Sequence, residues 1–410
     1  MTIVDRAPAE ADVAIVGGGL TGLALGCALA RHGFAVAVVD RDPPRAQTGD
    51  AFDGRASAIA LASARALQAL GLWDEAALAP EPILEIRVSD GEGPLFLHYD
   101  HRQVGDAPLG WMVENRRLRR LLVERAAVMP GLAVLGPAAP DRLDRGTTGV
   151  RLELARGQGR VAARLAVGAD GKGSWVREQA GIRAAAFDYP QAGIVCTVRH
   201  ERPHRGIAHE RFLPAGPFAI LPLAGNRSSL VWTERRDLAP ALMALPEGEF
   251  LEELARRFGD FLGVLALEGP RWSYPLGLVH AERYVERRVA LIGDAAHAIH
   301  PIAGQGFNLG LRDVAALVEV LVEGRRLGLE AGDAAMLRRY GRWRRTDAIA
   351  LAAVTDGLNR LFSTDLAAVR LARDLGLAVV HRTPPLKRLF MRHAMGTLGA
   401  LPRLLRGEAP

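Results

Sequence analysis

The uncharged run from Val13 to Ala30 constrains the fold of this chain more strongly than any other sequence feature. It lies in the stretch DVAIVGGGLTGLALGCALARHG and approaches the length of a membrane-spanning helix. Four glycines between positions 17 and 22 disfavour such a helix, and the acidic residues before the run are not typical of an export signal. The pattern instead predicts a buried strand over 13–16, a glycine turn, and a helix that begins near Leu20 and ends before Gly33.

A second apolar segment, AVAVVD, ends in Asp40 and completes the pattern of a dinucleotide-binding βαβ unit. In such a unit Gly17 makes the tight turn, Gly19 lets the backbone approach a pyrophosphate, and Gly22 lets the helix pack closely. Asp40 can accept hydrogen bonds from the adenosine ribose and would repel a 2′-phosphate. The unit therefore predicts FAD or NAD, rather than NADP, as the bound nucleotide.

The composition is that of an ordinary soluble enzyme. The chain has 410 residues, 49% hydrophobic and 24% charged, enough for about two or three domains. Cys27 and Cys196 lie far apart in apolar surroundings, so no disulfide or zinc site is expected. This cysteine usage predicts a reducing, cytoplasmic compartment.

The net charge of +6 is concentrated near the C-terminus. Residues 386–410 hold five basic residues against one acidic residue, an excess of four. Elsewhere the sequence has none of the familiar signatures of nucleic-acid-binding modules, so no nucleic-acid partner is expected. The charged residues of this terminal stretch are Lys387, Arg388, Arg392, Arg403, Arg406 and Glu408.

Two kinds of pattern alternate along the chain. SAIALASARALQALGLWDEAA has the apolar spacing of a helix, whereas ILEIRVSD and PLFLHYD are typical of strands. A strand changes to a helix near Asn115, a hairpin of VRLELA and RVAARLAVGAD ends at Asp170, and successive strand-like pieces fill 193–234. We therefore predict a discontinuous nucleotide-binding domain over 1–75, 100–182 and 275–345, a β-rich substrate domain over 76–99 and 183–274, and a C-terminal helical segment over 346–410.

Two later motifs are expected to meet at the same nucleotide. VGADGKGSWVRE places Asp170 between a strand and a helix, although such a turn is common. RVALIGDAAHAIHPIAGQGFNLGLRDVAAL is more specific, because a buried strand delivers Gly293 and Asp294 and a glycine loop then opens a helix near Phe307. Asp294 could hold the ribityl hydroxyls of a flavin, and the loop amides would stabilise negative charge on its reduced ring.

Together these stretches resemble the group A FAD-dependent aromatic monooxygenases, which share the fold of 4-hydroxybenzoate hydroxylase. Within that superfamily, DGRASAIALA, MVENRRLRRLL, the long glycine-loop motif and the terminal MRHAMGTLGALPRLLRG are similar to the ubiquinone-biosynthesis hydroxylases. The resemblance covers most of the chain. It implies an α/β fold in which a Rossmann-like FAD-binding domain carries an inserted β-sheet substrate domain and a C-terminal helical segment.

The resemblance also implies the site residues. It supplies no single acid or base, but it places three catalytic residues beside the flavin ring, namely Pro301, Gly304 and Gln305. The residues expected to bind FAD are Gly17, Gly19, Gly22, Asp40, Arg55, Asn115, Arg116, Asp170, Gly293, Asp294, Gly306 and Asn308.

The implied activity is hydroxylation of the aromatic ring of a polyprenylated phenol in ubiquinone biosynthesis. NAD(P)H would reduce FAD, O₂ would add to the flavin C4a, and the hydroperoxide would deliver one oxygen to the ring. Water must be excluded from that step. Phe212, Phe218 and Leu221 are candidate walls of the cavity, or else plain core residues. Other quinone-biosynthesis enzymes are expected partners.

Other functions stay open at this point. A hydroxylase of another aromatic substrate, a lipid-linked reductase or dehydrogenase, and a flavin-binding scaffold of a membrane complex share most of these motifs. A halogenase is disfavoured because the chain has no Trp-x-Trp motif. His297 and His300 have the spacing of metal ligands, but no further ligand completes a set, so no metal is expected. YGRWRRTD is interpreted as a solvated helix face.

The C-terminal segment has two equally weighted interpretations. Apolar residues recur there at helical steps of three and four, with basic residues off that stripe. The segment could contact the inner face of the cytoplasmic membrane peripherally, or it could pack as a terminal helix on the FAD domain. The apolar stripe consists of Leu386, Leu389, Phe390, Ala394, Leu398 and Leu401.

Overall fold

The N-terminal βαβ unit forms as its sequence predicts. In the computed structural model, which describes residues 10–43, 54–91, 96–298, 306–362, 380 and 382–410, the first strand ends at Val16 and the first helix begins at Leu20. The helix ends at Arg31, and Gly33 beyond it has a positive φ of 79° that suits a glycine. The glycine turn therefore joins the buried end of β1 to a helix that is buried from Gly22 to Ala30.

The secondary-structure elements are numbered in chain order. The strands are β1 (Glu10–Val16), β2 (Val36–Val39), β3 (Ala56–Ala60), β4 (Glu81–Ile83), β5 (Glu85–Asp90), β6 (Phe96–Asp100), β7 (Gly110–Glu114), β8 (Leu132–Leu135), β9 (Pro140–Arg145), β10 (Val150–Leu154), β11 (Arg160–Gly168), β12 (Ala184–His200), β13 (Ile207–Leu213), β14 (Gly216–Leu223), β15 (Arg227–Arg235), β16 (Leu265–Ala281), β17 (Val285–Glu286), β18 (Val289–Leu291) and β19 (His297–Ala298). The helices are α1 (Leu20–Arg31), α2 (Leu61–Ala69), α3 (Glu75–Leu78), α4 (Asn115–Val128), α5 (Trp175–Gln179), α6 (Ala239–Ala244), α7 (Glu247–Phe258), α8 (Gly306–Arg326), α9 (Ala334–Phe362) and α10 (Pro384–Ala394).

The strands form three sheets. The nucleotide sheet has the order β17-β18-β11-β1-β2-β8, in which β18, β11, β1, β2 and β8 run parallel, and β10 and β9 extend from β11 as an antiparallel pair. The second sheet has the order β19-β16-β12-β15-β14-β13-β5-β6 and is mostly antiparallel. A small third sheet, β3-β7-β4, is formed by strands that lie between β2 and β8 in the chain. The α/β architecture with an inserted β-sheet domain is the predicted fold class.

The two faces of the second sheet pack against different partners, because side chains alternate along a strand. On β14, Phe218 belongs to a core cluster with Trp232 and with Phe250 of α7. Its neighbour Ala219 belongs to a separate cluster on the opposite face, together with Met391 of α10. One face of the sheet is therefore covered by α7 and the other by α10 and the third sheet.

The structure differs from the sequence prediction at one secondary-structure element and at two predicted domain boundaries. Residues 57–60, predicted as the start of a helix, belong to β3 (Ala56–Ala60), which pairs with β7. Strand β16 runs to Ala281 and so continues past the predicted domain boundary at 274/275. Helix α9 likewise crosses the predicted boundary at 345/346. The division into domains stays a prediction.

Candidate functional site

Three glycines of the first turn have distinct structural roles. Gly17 has a φ of 106°, and a Cβ atom there would lie 2.3 Å from the Ala169 carbonyl oxygen. A Cβ atom on Gly22 would lie 1.9 Å from the Gly17 carbonyl oxygen, whereas one on Gly19 would have no neighbour within 4 Å. The protein's own packing therefore requires glycine at 17 and 22. At 19 the chain leaves open space, as the approach of a pyrophosphate to the backbone would need.

Asp40 is held at the end of β2 by backbone hydrogen bonds. The Gly18 N–H donates to Asp40 Oδ2, and the Asp42 N–H donates to Oδ1 at 2.7 Å. Each carboxylate oxygen keeps a further lone pair for another donor. The side chain is thus positioned beside the glycine turn and can still accept hydrogen bonds from a ribose.

A cavity of about 610 Å³ opens at this turn, within the range of typical cofactor sites (roughly 300–1,000 Å³). Sequence-predicted residues from three separate parts of the chain line it, together with Arg119, which the sequence prediction missed. Arg119 lies one helical turn after Asn115 on α4, so the i, i+4 spacing was the available signal. The predicted residues that line this cavity are Gly17, Gly19, Asp40, Arg55 and Asp170.

Asp170 also organises the start of α5. It accepts hydrogen bonds from Ser174 Oγ at 2.5 Å and from the Val176 N–H at 3.0 Å. Desolvation raises its pKa, and the hydrogen bonds only partly offset that rise. The residue therefore supports the cavity wall through the local fold as well as facing the cavity.

The other predicted residues of α4 make protein contacts. Asn115 Oδ1 accepts a hydrogen bond from Ser57 Oγ at 2.7 Å, and the Asn115 N–H donates to the Arg55 carbonyl oxygen at 3.0 Å. Arg116 Nε donates to the buried Glu114 carboxylate at 2.7 Å. Their FAD-binding roles stay predictions, and these contacts show that both residues also fix the path of the chain beside Arg55.

A buried ionic cluster holds the Gly293–Asp294 turn. Asp313 of α8 accepts hydrogen bonds from the Gly293 N–H at 2.8 Å and from Arg344 Nε at 2.6 Å, and it lies 2.6 Å from His297 Nε2. Burial alone would raise the pKa of Asp313, but the charges of His297 and Arg344 outweigh it and hold the pKa below its usual value. The turn is thereby fixed to α8 by interactions protected from solvent.

The prediction of a solvated face for YGRWRRTD is wrong at Arg344, which is 1% exposed and pairs with both Asp313 and Asp347. His297 is also part of this cluster, with its Nε2 atom 2.6 Å from Asp313. His300 lies outside the described residues. Within them, Glu85, His98 and Asp100 also come close together, but arginines already pair with both carboxylates.

Asp294 itself is exposed, in contrast to the buried residues around it. Enough protein surrounds its carboxylate for desolvation to raise its pKa. A carboxylate in this position can accept hydrogen bonds from a ligand that covers the turn. Its predicted contact with a ribityl chain therefore fits the geometry.

The start of α8 is bonded to the backbone of β3. Gly306 is its first residue, and the buried Asn308 donates from Nδ2 to the Ala58 carbonyl oxygen at 2.7 Å and accepts from the Ala60 N–H at 2.9 Å. The predicted ring-lining residues Pro301, Gly304 and Gln305 lie outside the described residues. Asn308 therefore fixes β3 against α8, and its predicted contact with the flavin stays untested.

A second cavity, of about 80 Å³, lies between the start of α8, the third sheet and the second sheet. Leu221, a predicted wall, lines it, whereas Phe218 belongs to the core on the opposite face of the sheet, and Phe212 is buried further along β13. The volume is smaller than the roughly 150 Å³ that accommodates a benzene ring. An aromatic ligand would therefore need the surrounding elements to move apart.

The C-terminal residues divide between the two interpretations of the sequence. After α10, Leu404 and Leu405 join the core of the nucleotide domain, and the Arg403 N–H donates to Glu319 of α8 at 2.6 Å. On α10, by contrast, Leu389 is 49% exposed and Phe390 38% exposed. The last residues pack on the nucleotide domain, and α10 presents apolar side chains to the outside.

Known proteins match both the sequence and the fold. The family described as FAD binding domain matches residues 10–355. The chain belongs to this FAD-binding family. Ubiquinone hydroxylase UbiL of Rhodospirillum rubrum is 55% identical over 408 residues, which cover 99% of this chain and 95% of that protein. The 3-demethoxyubiquinol 3-hydroxylase of Escherichia coli is 36% identical over 387 residues, which cover 94% of this chain and 98% of that protein.

A solved structure shows the same fold at lower sequence identity. The p-nitrophenol 4-monooxygenase PnpA of Pseudomonas putida superposes with a TM-score of 0.79 over 96% of this chain and 100% of that structure, at 20% identity. At this identity the match shows the fold alone. The FAD-binding family and its fold thus agree with the cavity formed at the glycine turn.

Proposed function

We propose that this FAD-binding protein hydroxylates the aromatic ring of a polyprenylated phenol in ubiquinone biosynthesis, with NAD(P)H and O₂ as co-substrates. The observation that carries the proposal is the 610 Å³ cavity at the glycine turn, which is lined by five of the residues predicted to bind FAD. Similarity to UbiL and to the Escherichia coli hydroxylase along nearly the whole chain supports the substrate class.

The residues at the cavity fit the parts of FAD. The open space at Gly19 suits a pyrophosphate, Asp40 suits the ribose hydroxyls, and Arg55 and Arg119 can balance phosphate charge. Asp294, which is exposed on its own turn outside the lining of this cavity, could accept hydrogen bonds from the ribityl chain. Bound FAD would supply the redox chemistry, taking up reducing equivalents from NAD(P)H and activating O₂.

The chain's own contribution beyond cofactor binding is to exclude water and hold the ring. Apolar side chains from both the second and the third sheet line the second cavity, among them Ile83, Ile86 and Leu221, and Leu109 lines it as well. Such a wall favours an aromatic ring and the first part of a prenyl tail over water. Asn308, near the start of α8, lines this cavity and bonds to β3, which supports a ring site close to the predicted flavin-binding residues of the same helix.

The test is product analysis under ¹⁸O₂. The purified chain should show flavin absorbance and should convert a polyprenylated phenol to a product that contains one ¹⁸O atom, with NADH and NADPH compared as reductants. Consumption of NAD(P)H with a reduced product but no label would indicate a reductase. Bound flavin without turnover of any tested phenol would indicate the scaffold function.

We further propose that α10 contacts an anionic membrane surface from which the lipid-tailed substrate is drawn. Leu389 and Phe390 are exposed there beside the exposed Arg388 and Arg392. Each basic residue near an anionic surface contributes about 1 kcal/mol, so binding would be reversible and weakened by salt. In the part of the chain that the structure describes, no helix is both long and apolar enough to cross a bilayer.

Substitution tests this contact better than truncation, because removal of α10 and the residues after it would also remove Met391, Leu404 and Leu405 from the core. The double variant Leu389→Gln/Phe390→Gln should lose sedimentation with vesicles of anionic phospholipid at low salt while keeping its flavin. Leu327→Gln, at an equally apolar and 73% exposed site at the far end of α8, is the matched control. Equal sedimentation of both variants and the wild type would exclude α10 as the contact.

A further inference from the structure

One buried carboxyl group in the second cavity has an oxygen atom without a hydrogen-bond partner in the part of the chain that the structure describes. Glu210 of β13 is 7% exposed and lines this cavity, and its Oε1 has no hydrogen-bond partner within the described part of the chain. A buried carboxyl without a partner destabilises a protein, because desolvation is not compensated. Such a group is more often explained by function than by stability.

The strand register points Glu210 toward the proposed ring site. Glu210 pairs with Ala219 on β14 and with Val88 on β5, and Ala219 belongs to the cluster that faces α10. The preceding residue, His209, packs its ring on Phe261 at 4.7 Å, a residue packed against the core under the opposite face. The Glu210 side chain therefore enters the same apolar cavity that Asn308 of α8 lines.

We propose that the Glu210 carboxylate binds the hydroxyl group of the phenolic substrate and takes its proton, an inference that rests on the function proposed above. In this step the phenol O–H bond breaks and the proton bonds to a carboxylate oxygen of Glu210. The electron pair of the broken bond stays on the phenol oxygen. The products are a phenolate, whose ring is more electron-rich than that of the phenol, and a neutral carboxylic acid.

The surroundings of Glu210 suit this proton transfer. Burial raises the pKa of Glu210 to about 8. This value is closer than the ordinary pKa of glutamate to the pKa of a tyrosine-like phenol, which is about 10. Desolvation is the cause of the rise. Titratable groups on the elements around the cavity include His209 and Arg211 on β13, Glu85, Arg87 and Asp90 on β5, Tyr99 on β6, Glu81 on β4, Glu114 on β7, Arg312 and Asp313 on α8, and Lys387, Arg388, Arg392 and His393 on α10.

The experiment compares the FAD-loaded wild type with Glu210→Gln, which keeps the shape and removes the base. With 2-farnesylphenol as the probe, product formation should fall about 100-fold or more in the variant, with KM changed only a few-fold. Oxidation of NAD(P)H should continue without hydroxylated product. The wild-type rate of hydroxylation should rise with pH through the titration of Glu210, and that rise should be absent from the variant. The exposed Glu282→Gln serves as the control substitution.

Two readouts do not depend on turnover. Binding to the oxidised holoenzyme, followed by flavin absorbance, should favour 2-farnesylphenol over its methyl ether in the wild type, and Glu210→Leu should abolish that preference. The urea midpoint of Glu210→Gln should exceed that of the wild type increasingly between pH 5 and pH 8, because ionisation of a carboxyl whose pKa is raised destabilises the folded state.

The outcomes separate this inference from the proposed function. If the wild type hydroxylates the phenol and Glu210→Gln does so at the same rate with the same pH profile, the role of Glu210 is refuted. An unchanged preference for the phenol in Glu210→Leu would refute it as well. If the wild type hydroxylates no polyprenylated phenol at all while it still prefers the phenol through Glu210, the proposed reaction fails and the binding role of Glu210 stands.

Discussion

Replacement of Gly19 by valine should separate cofactor binding from folding. Gly19 precedes α1 with φ −71° and ψ −176°, a conformation open to valine, and its Cβ would meet nothing within 4 Å. We therefore expect the flavin-free variant to lose at most about 1 kcal/mol of unfolding free energy, through a poorer N-cap. In the cofactor-bound state the side chain would occupy the space of the pyrophosphate. Loss of two backbone hydrogen bonds to a charged group, at about 1.5–3 kcal/mol each, weakens FAD roughly 100- to 20,000-fold.

The loss of FAD binding is measured by the flavin content per chain after purification and by FAD titration of the flavin-free protein. The change in unfolding free energy is measured separately, by urea unfolding without flavin. Gly248→Val is the matched control, because Gly248 on α7 is also exposed with nothing within 4 Å of its Cβ position. It should keep a full flavin complement. Gly22→Ala should instead damage the fold itself, since its Cβ would lie 1.9 Å from a backbone oxygen. A Gly19→Val protein that purifies with one FAD per chain would refute the assignment of this turn.

Two further substitutions test the Gly293–Asp294 turn. Asp294→Ala should leave the circular dichroism spectrum unchanged. It should weaken FAD binding roughly 10- to 150-fold, because a hydrogen bond to a charged group contributes about 1.5–3 kcal/mol. An unchanged affinity for flavin would contradict a ribityl contact. Asp313→Asn should lower the unfolding free energy by about 3–5 kcal/mol, because it breaks a buried ion pair and leaves Arg344 with one carboxylate. Since the folded-state pKa of Asp313 is depressed, this stabilisation is present above about pH 4 and lost as the pH falls through the folded value, so urea curves of variant and wild type should converge in acid.

The sequence predicts the secondary structure correctly where residues close together in the chain determine it. The change from β7 to α4 at Asn115 follows from an apolar strand pattern meeting a charged amphipathic one, and the glycine turn follows from residues that lie within a few positions of each other. The strand β3 was missed because its alanine-rich sequence favours a helix. Asn308, about 250 positions away, bonds its backbone and overrides that preference.

The missed charged residues show the same limit. The sequence predicts an exposed Arg344, because a run of arginines usually forms a solvated helix face. Only the fold brings Asp313 within 2.6 Å of its Nε atom. The strand face of Glu210 can be predicted from the sequence, since alternation in IAHERFL places it on the same face as Ala208 and Phe212. Burial of that face, however, depends on α10, which follows about 170 residues later in the chain.

The short passage from β18 to β19 has a mechanical consequence. Within six residues, from Leu291 to His297, the chain leaves the nucleotide sheet and joins the edge of the second sheet beside β16. The Gly293–Asp294 turn lies in this link, and Asp313 anchors both Gly293 and His297. The two sheets therefore cannot hinge apart at this edge without breaking the buried contacts of Asp313 with Gly293 or His297.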